Sequence, residues 1–165
     1  IPAEMKKVAA FFKQDVLREV DEKEFYSQIP GLRSILGDRP VLRALHFFEE
    51  EKRVQAQVEA LKQGDFKEFL SLVEKSGSSS FKYLQNIYTT RNVQSQAMSI
   101  ALGVSESILG NHGVCRVHGG GFAGTIQIFV ENSFGEEYRK SMDKVFGSGS
   151  CHVLKVRQHG GMQVL

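Results

Sequence analysis

Apolar positions keep a helical period through the first two thirds of the chain and then change to strict alternation. Met5, Val8, Ala9 and Phe12 share one helical face. Asp21 with Glu24 has the form of a capping box and predicts a short helix running toward Pro30. Leu32–Leu36 predicts one more turn, closed by Gly37. A long helix is expected from Asp38, with Pro40 in its first turn. Phe47, Val54, Val58 and Leu61 form its stripe, with Val41, Leu45 and Phe48 beside them, and Glu49–Arg53 reads as its solvated part. Gly64 ends it and Asp65 caps a second helix, Phe66 to about Lys75, so that the two make a hairpin. Ser76–Ser80 breaks the pattern and reads as a flexible loop. A phosphate site there would want a helix N-terminus directly after it, and Phe81–Tyr88 offers only a short one. A further helix is expected from about Val93 to Leu109, with Ala97, Ile100, Ala101, Val104 and Ile108 as its inner face and Gly110 as its stop.

Beyond Gly110 the order becomes strand (114–118), glycine loop, strand (125–131), helix, strand (151–157). Ser133 with Glu136 forms a second capping-box signature, and Tyr138, Met142, Val145 and Phe146 give the helix an apolar side. Gly147–Ser150 is the turn out, and Gly160-Gly161 sets off a last extended run, Met162–Leu165. No internal repeat and no long linker divides the chain. One domain spanning 1–165 is expected, of the α+β class, with helices packed on one face of a small, mainly antiparallel sheet.

Composition narrows the function. At 165 residues and 41% hydrophobic, the chain can bury a core of its own. A net charge of +2 without a polybasic block argues against nucleic acid as a partner. No run approaches the length of a membrane span, and no signal-peptide pattern opens the chain, so a cytoplasmic location is expected. The two cysteines, Cys115 and Cys151, sit in strand-like runs and read as buried, reduced thiols. The first residues are Ile1-Pro2, and the expectation is a piece of something longer.

The chemistry-bearing candidate is Gly119-Gly120-Gly121-Phe122-Ala123-Gly124, held between two strand-like runs. Four glycines in six positions is costly in backbone entropy. That cost suits a tight turn or the close approach of an anion to main-chain N–H groups. Gly119, Gly121 and Gly124 satisfy G-x-G-x-x-G, but a strand follows where a dinucleotide fingerprint needs a helix. The lysine, H-R-D and D-F-G elements of a protein kinase are absent, as is the Gly-Lys-Ser/Thr of a P-loop. A glycine-rich hairpin turn without a ligand stays open.

The run Gly113-Val-Cys-Arg-Val-His-Gly-Gly-Gly-Phe-Ala-Gly-Thr125 resembles the third signature motif of the GHMP small-molecule kinases, in its galactokinase form. Val16–Phe25 resembles the galactokinase stretch after the nucleotide-domain crossover. Arg43–Val54 resembles the family's His-bearing helix, R-x-x-H-x-x-x-E-x-x-R-V, and Gly64-Asp-Phe66 and Cys151–Val156 also fit. The resemblance implies the C-terminal domain of a two-domain kinase, of ferredoxin-like type. It implies ATP and Mg²⁺ as cofactors of the whole enzyme, galactose or a similar sugar as substrate, and a missing N-terminal domain as partner in cis. The family's serine-rich phosphate loop and catalytic Arg and Asp have no counterpart here, so no catalytic residue is expected in this chain. The glycine loop would be one wall of the nucleotide and sugar pocket. Two other outcomes of the same resemblance are a non-catalytic sugar or nucleotide sensor and a kinase for another small molecule.

Two positions depart from the family pattern: Ala123 stands for a further glycine, and His118 for Thr or Ser. His118 is either bonded to backbone at a strand end or faces the substrate. Arg116 shares a strand face with Val114 and His118 and would lie opposite Gln127, either solvated or facing the missing domain. Phe122 either buries in the core or covers a nucleotide. Cys115-x-x-His118 is too little for zinc, and no metal is expected. His46, beside the apolar stripe, reads as a packed helix histidine. An apolar patch is expected beside the loop.

Overall fold

A computed structural model describes residues 1–122 and 124–156. Ala123, the end of the expected third strand at 157, and the run Met162–Leu165 with Gly160-Gly161 lie outside the described residues. The elements run α1 (Pro2–Phe11), α2 (Glu22–Ser27), α3 (Ile29–Leu36), α4 (Asp38–Lys62), α5 (Phe66–Ser79), α6 (Ala97–Leu109), β1 (Gly113–Val117), β2 (Ile126–Val130) and α7 (Gly135–Phe146). A 3₁₀ turn, Leu17–Glu19, follows α1, and a π-helical turn, Ser80–Leu84, continues α5.

Local chemistry explains most starts and stops. The Asp21 carboxylate accepts from Glu24 N at 2.8 Å and caps α2; Asp65 accepts from Glu68 N at 2.9 Å and caps α5. Gly37 and Gly110, both at positive φ, end α3 and α6. The second capping box does not form. Phe134 rather than Ser133 precedes α7, with no side-chain cap, because its N–H turns back onto Glu131 O at 2.9 Å.

Two apolar clusters result. Val8, Ala9, Leu17, Val20, Phe25, Leu32, Val41, Ala44 and Phe48 close the helical half, with Phe25 and Phe48 ring centroids 4.9 Å apart. Met98, Leu102, Leu109, Cys115, Val117, Tyr138 and Met142 close the other half with Ile87. The inner face of α6 is therefore Met98, Leu102, Ser105 and Leu109, one residue round from the expected stripe. Ile100 is exposed, while Ala101, Val104 and Ile108 pack at the cluster's edge. Ser105 fits inside because its hydroxyl meets Tyr138 Oη at 2.7 Å.

The class is α+β. β1 and β2 pair antiparallel, Gly113↔Val130 to Val117↔Ile126, and among the described residues the sheet has these two strands. Cys115, Val117, Ile126, Ile128 and Val130 face α6 and α7. α5 covers the opposite face, where Phe69 meets Phe129 edge-on at 5.4 Å and Gly77 lies on Arg116. Helices thus cover both faces rather than one.

The expected third strand is not formed within 151–156. Ser150 N and Oγ bond to Asp143 Oδ1 at 3.2 and 3.0 Å and fix the turn out of α7. The chain then leaves the cluster with Val153, Leu154 and Val156 at 81%, 87% and 97% exposure and no ladder. Strand-like composition is not enough without an edge to pair with. The serine run is also not a loop: Ser76–Ser79 completes α5, with Ser76, Ser79 and Ser80 buried. Small side chains let this turn press against α4 and β1. The last helix before the sheet starts at Ala97 rather than Val93, which is exposed.

Candidate functional site

The β1–β2 connection projects the glycine loop from the end of the hairpin. His118 N donates to Thr125 O at 3.1 Å and closes the ladder beneath it. Gly119, Gly121 and Gly124 sit at φ of +64°, +71° and +83°, and Phe122 at +53°. This is the left-handed region that glycine enters at no steric cost. A Cβ at Gly119, Gly120 or Gly124 would meet nothing within 4 Å, so the loop's outer side is open. Gly121 is the contrary case: a Cβ there would lie 2.6 Å from Asn86 Nδ2 and 2.7 Å from its Cβ, and closer still to its carbonyl oxygen. Phe122 N donates to that carbonyl at 2.9 Å. The loop is therefore docked on Asn86 by one hydrogen bond and one side-chain-free contact.

Asn86 is 0% exposed, and neither Nδ2 nor Oδ1 of its amide has a hydrogen-bond partner. It follows the π-helical turn, whose Ser80 O accepts from Gln85 N at 2.8 Å, and Gln85 is left-handed at φ +56°. Such i→i+5 turns recur at functional sites. The same segment exposes Phe81, Tyr83 and Tyr88, and Phe122 adds a fourth exposed ring from the loop at 52%. Phe81 and Tyr88 centroids lie 5.8 Å apart. Phe81 and Tyr88 thus form an exposed aromatic pair on the segment against which the loop docks, and Phe122 is exposed rather than buried in the core.

His118 is exposed at the strand end, directly before the loop. Arg116 is half-buried rather than on an open, solvated sheet face. It pairs across the sheet with Gln127, and its guanidinium lies 3.7 Å from Glu50 Oε1 and donates to Val117 O at 3.1 Å. It joins a polar seam between α4 and α5. Arg43 donates to Leu84 O at 3.0 Å and pairs with Glu4; His46 Nδ1 and Ser79 Oγ are 2.9 Å apart; Glu50 pairs with Ser76 Oγ and Arg53. Arg43, His46, Glu50 and Arg53 follow the R-x-x-H-x-x-x-E-x-x-R spacing, which places them on one face of α4. Glu50 and Arg53 are thus part of the interior, while Glu49, Glu51 and Lys52 are the solvated residues of that stretch. Burial pushes the His46 imidazole below the usual histidine range, so it is the packed, neutral histidine expected.

Cys115 and Cys151 are free thiols, Cys115 buried and Cys151 half-buried. Burial pushes the Cys115 thiol up to about 11, which makes it a poor nucleophile. Cys115 faces α6 while His118 follows the other alternation, so the two cannot share a metal; among the described residues no group of three His, Cys, Asp or Glu side chains could hold one. No described helix is long and apolar enough to cross a membrane. A cleft of about 270 Å³ opens where α5, α6 and β1 meet, lined by Glu74, Phe81, Lys82, Glu106 and Arg116.

The chain is 32% identical to the galactokinase of Thermotoga maritima over 138 residues, 81% of this chain and 37% of that protein. It is 29% identical to the galactokinase of Glaesserella parasuis over 132 residues, 80% of this chain and 32% of that protein. The chain is galactokinase-like, of the GHMP type. It spans about 37% of the length of the first curated relative it matches. No family model matches it.

Periodicity locates the glycine loop in this galactokinase-like chain but misses Asn86 and the serines of the seam. The signal for Asn86 is a polar residue lodged between Leu84 and Ile87, next to a buried aliphatic position. For the seam, it is the recurrence of Arg43, His46, Glu50 and Arg53 at intervals of three and four.

Proposed function

We propose that this chain is the C-terminal domain of an ATP-dependent sugar kinase that phosphorylates galactose at its anomeric hydroxyl. Residues 1–165 form one domain, and an N-terminal domain of the same polypeptide supplies the catalytic and phosphate-loop walls. The whole enzyme works in the cytoplasm. The observation that carries this is the open outer side of Gly119, Gly120 and Gly124 at the tip of the hairpin, on a loop docked against the segment that exposes Phe81, Tyr83 and Tyr88. Sequence similarity to galactokinases over about four-fifths of the chain supports it.

ATP supplies the phosphoryl group, and Mg²⁺ spreads its charge. This chain's residues fit one part of that site. Main-chain N–H groups on side-chain-free backbone can approach phosphoryl oxygens closely, as can the imidazole of His118 directly before them. The exposed rings on the segment against which the loop docks give the partner domain an apolar seat and keep water from the sugar side.

The test is galactose-dependent ADP release by the full-length parent, with a sugar panel to fix the substrate. Turnover is expected in the parent and none in residues 1–165 alone. Turnover by residues 1–165 would overturn the domain reading. Sugar binding without ADP release would replace the kinase by a sensor.

A further inference from the structure

We infer that Asn86 is the positioning residue of the glycine loop, and that its buried amide is a partner held ready for a loop peptide that turns over when a phosphoryl group binds. The inference rests on that part of the proposed function which makes the loop a wall that receives a phosphoryl group.

A buried amide with both ends unpaired is rare, because each group loses its water without gaining a partner. Such a residue persists where something else uses it. Asn86 is fully buried, its amide lies directly against Gly121, and its carbonyl already holds Phe122 N. The loop is thus anchored on one side of Gly121 by the Asn86 main chain. On the other side, a Cβ added at Gly119 or Gly120 would meet nothing within 4 Å. Peptides flanked only by glycine can rotate without a Cβ penalty at either end.

A rotation of the Gly120–Gly121 peptide that set its C=O on Asn86 Nδ2 would point its N–H to the opposite side, because the two groups of one peptide are antiparallel, and there a phosphoryl oxygen could accept it. The inward bond satisfies the orphaned donor, and the outward bond is made only when the ligand is present. Asn86 thereby acts through the loop, without touching the ligand. Leucine at this position would fill the same space and remove the unpaired amide, but could give the turned carbonyl no donor. Aspartate would keep an acceptor and lose the donor.

The experiment uses the full-length parent with Asn86→Leu and Asn86→Asp. ATP and, separately, galactose 1-phosphate serve as probes, read by titration calorimetry, with thermal midpoints measured on the same samples. For Asn86→Leu the expected result is a dissociation constant raised about tenfold for at least one phosphorylated probe, with the midpoint unchanged or higher. Asn86→Asp is expected to weaken the same probe at least as much. Which probe responds tells whether the loop faces the nucleotide or the sugar phosphate. The inference is overturned if Asn86→Leu binds both probes within twofold of the parent. It is equally overturned if binding falls only in step with a lowered midpoint, the mark of a merely structural role. If the probes bind and depend on Asn86 but no turnover occurs, the kinase reading fails and this inference stands.

Discussion

One helix carries two opposed solutions to burial. On α4, Val41, Ala44 and Phe48 face a dry cluster with α1, α2 and α3, while Arg43, His46, Glu50 and Arg53 face a seam of serines and main-chain carbonyls. The apolar face is held by area and shape, which are non-directional and tolerate small shifts. The polar face is held by named pairs, each of which leaves an orphan if one member is lost. The first kind of contact sets stability. The second fixes the placement of α5, the π-helical turn and Asn86, and through them the glycine loop.

The dry side should yield the largest effect. Phe25 is fully buried against Phe48, and Phe25→Ala is expected to cost about 3–5 kcal/mol. Urea unfolding of the chain would measure it. A loss under about 1 kcal/mol would mean that the cluster is not a packed core.

The seam should respond by pairs. Ser79→Ala removes the partner of buried His46 and is expected to cost about 1–3 kcal/mol. Adding His46→Leu should recover part of the loss, since an apolar pair leaves nothing unsatisfied. Additive losses in the double variant would show that the hydroxyl–imidazole contact contributes nothing of its own.

How far these two faces are legible in the sequence follows from the same physics. Area-driven burial leaves a period along the chain, and it marks Val8, Ala9, Val41 and Phe48, which are core; the stripe expected farther along α4 is not core, since Val54, Val58 and Leu61 are exposed beyond the reach of the helical cluster. Capping carboxylates are equally local, and Asp21 and Asp65 cap the helices that their positions predict. Seam contacts are long-range and pairwise: nothing near Ser76–Ser80 says that Glu50 and His46 lie opposite, so a polar, glycine-bearing run reads as a loop. The face of α6 escapes periodicity because Ser105, a polar residue, is buried through Tyr138. Residues 151–156 mislead because a strand depends on an edge elsewhere. The loop itself is visible as four glycines; its anchor on Asn86 is not, since that contact spans more than thirty residues of chain.

A smaller effect separates the faces by pH. Burial lowers the His46 pKa in the folded state, so the unfolded chain takes up the proton first. The stability of the neutral form is complete above the ordinary histidine pKa of about 6.5. It declines as pH falls below that value, by at most ~1.4 kcal/mol per unit for one proton. Urea midpoints between pH 7 and pH 5.5 should fall in the parent chain and flatten in His46→Leu. An unchanged slope in that variant would assign the pH dependence to other groups.

The smallest effects come from two helical glycines that differ only in what faces them. A Cβ at Gly103 in α6 would meet nothing within 4 Å, so Gly103→Ala should stabilise the chain by about 0.5–1 kcal/mol through helix propensity. A Cβ at Gly77 in α5 would lie 3.0 Å from Arg116 Cβ and 3.3 Å from both Arg116 Cα and Cys115 O. These are strand atoms that cannot move alone, so the same propensity gain is offset by crowding. Gly77→Ala should therefore be neutral to destabilising by about 1 kcal/mol, and it should also shift Arg116 away from Glu50. Thermal melts of the two variants give the difference directly. Equal stabilisation by both would show that α5 can slide on β1, and that the seam does not fix the helix whose continuation carries Asn86.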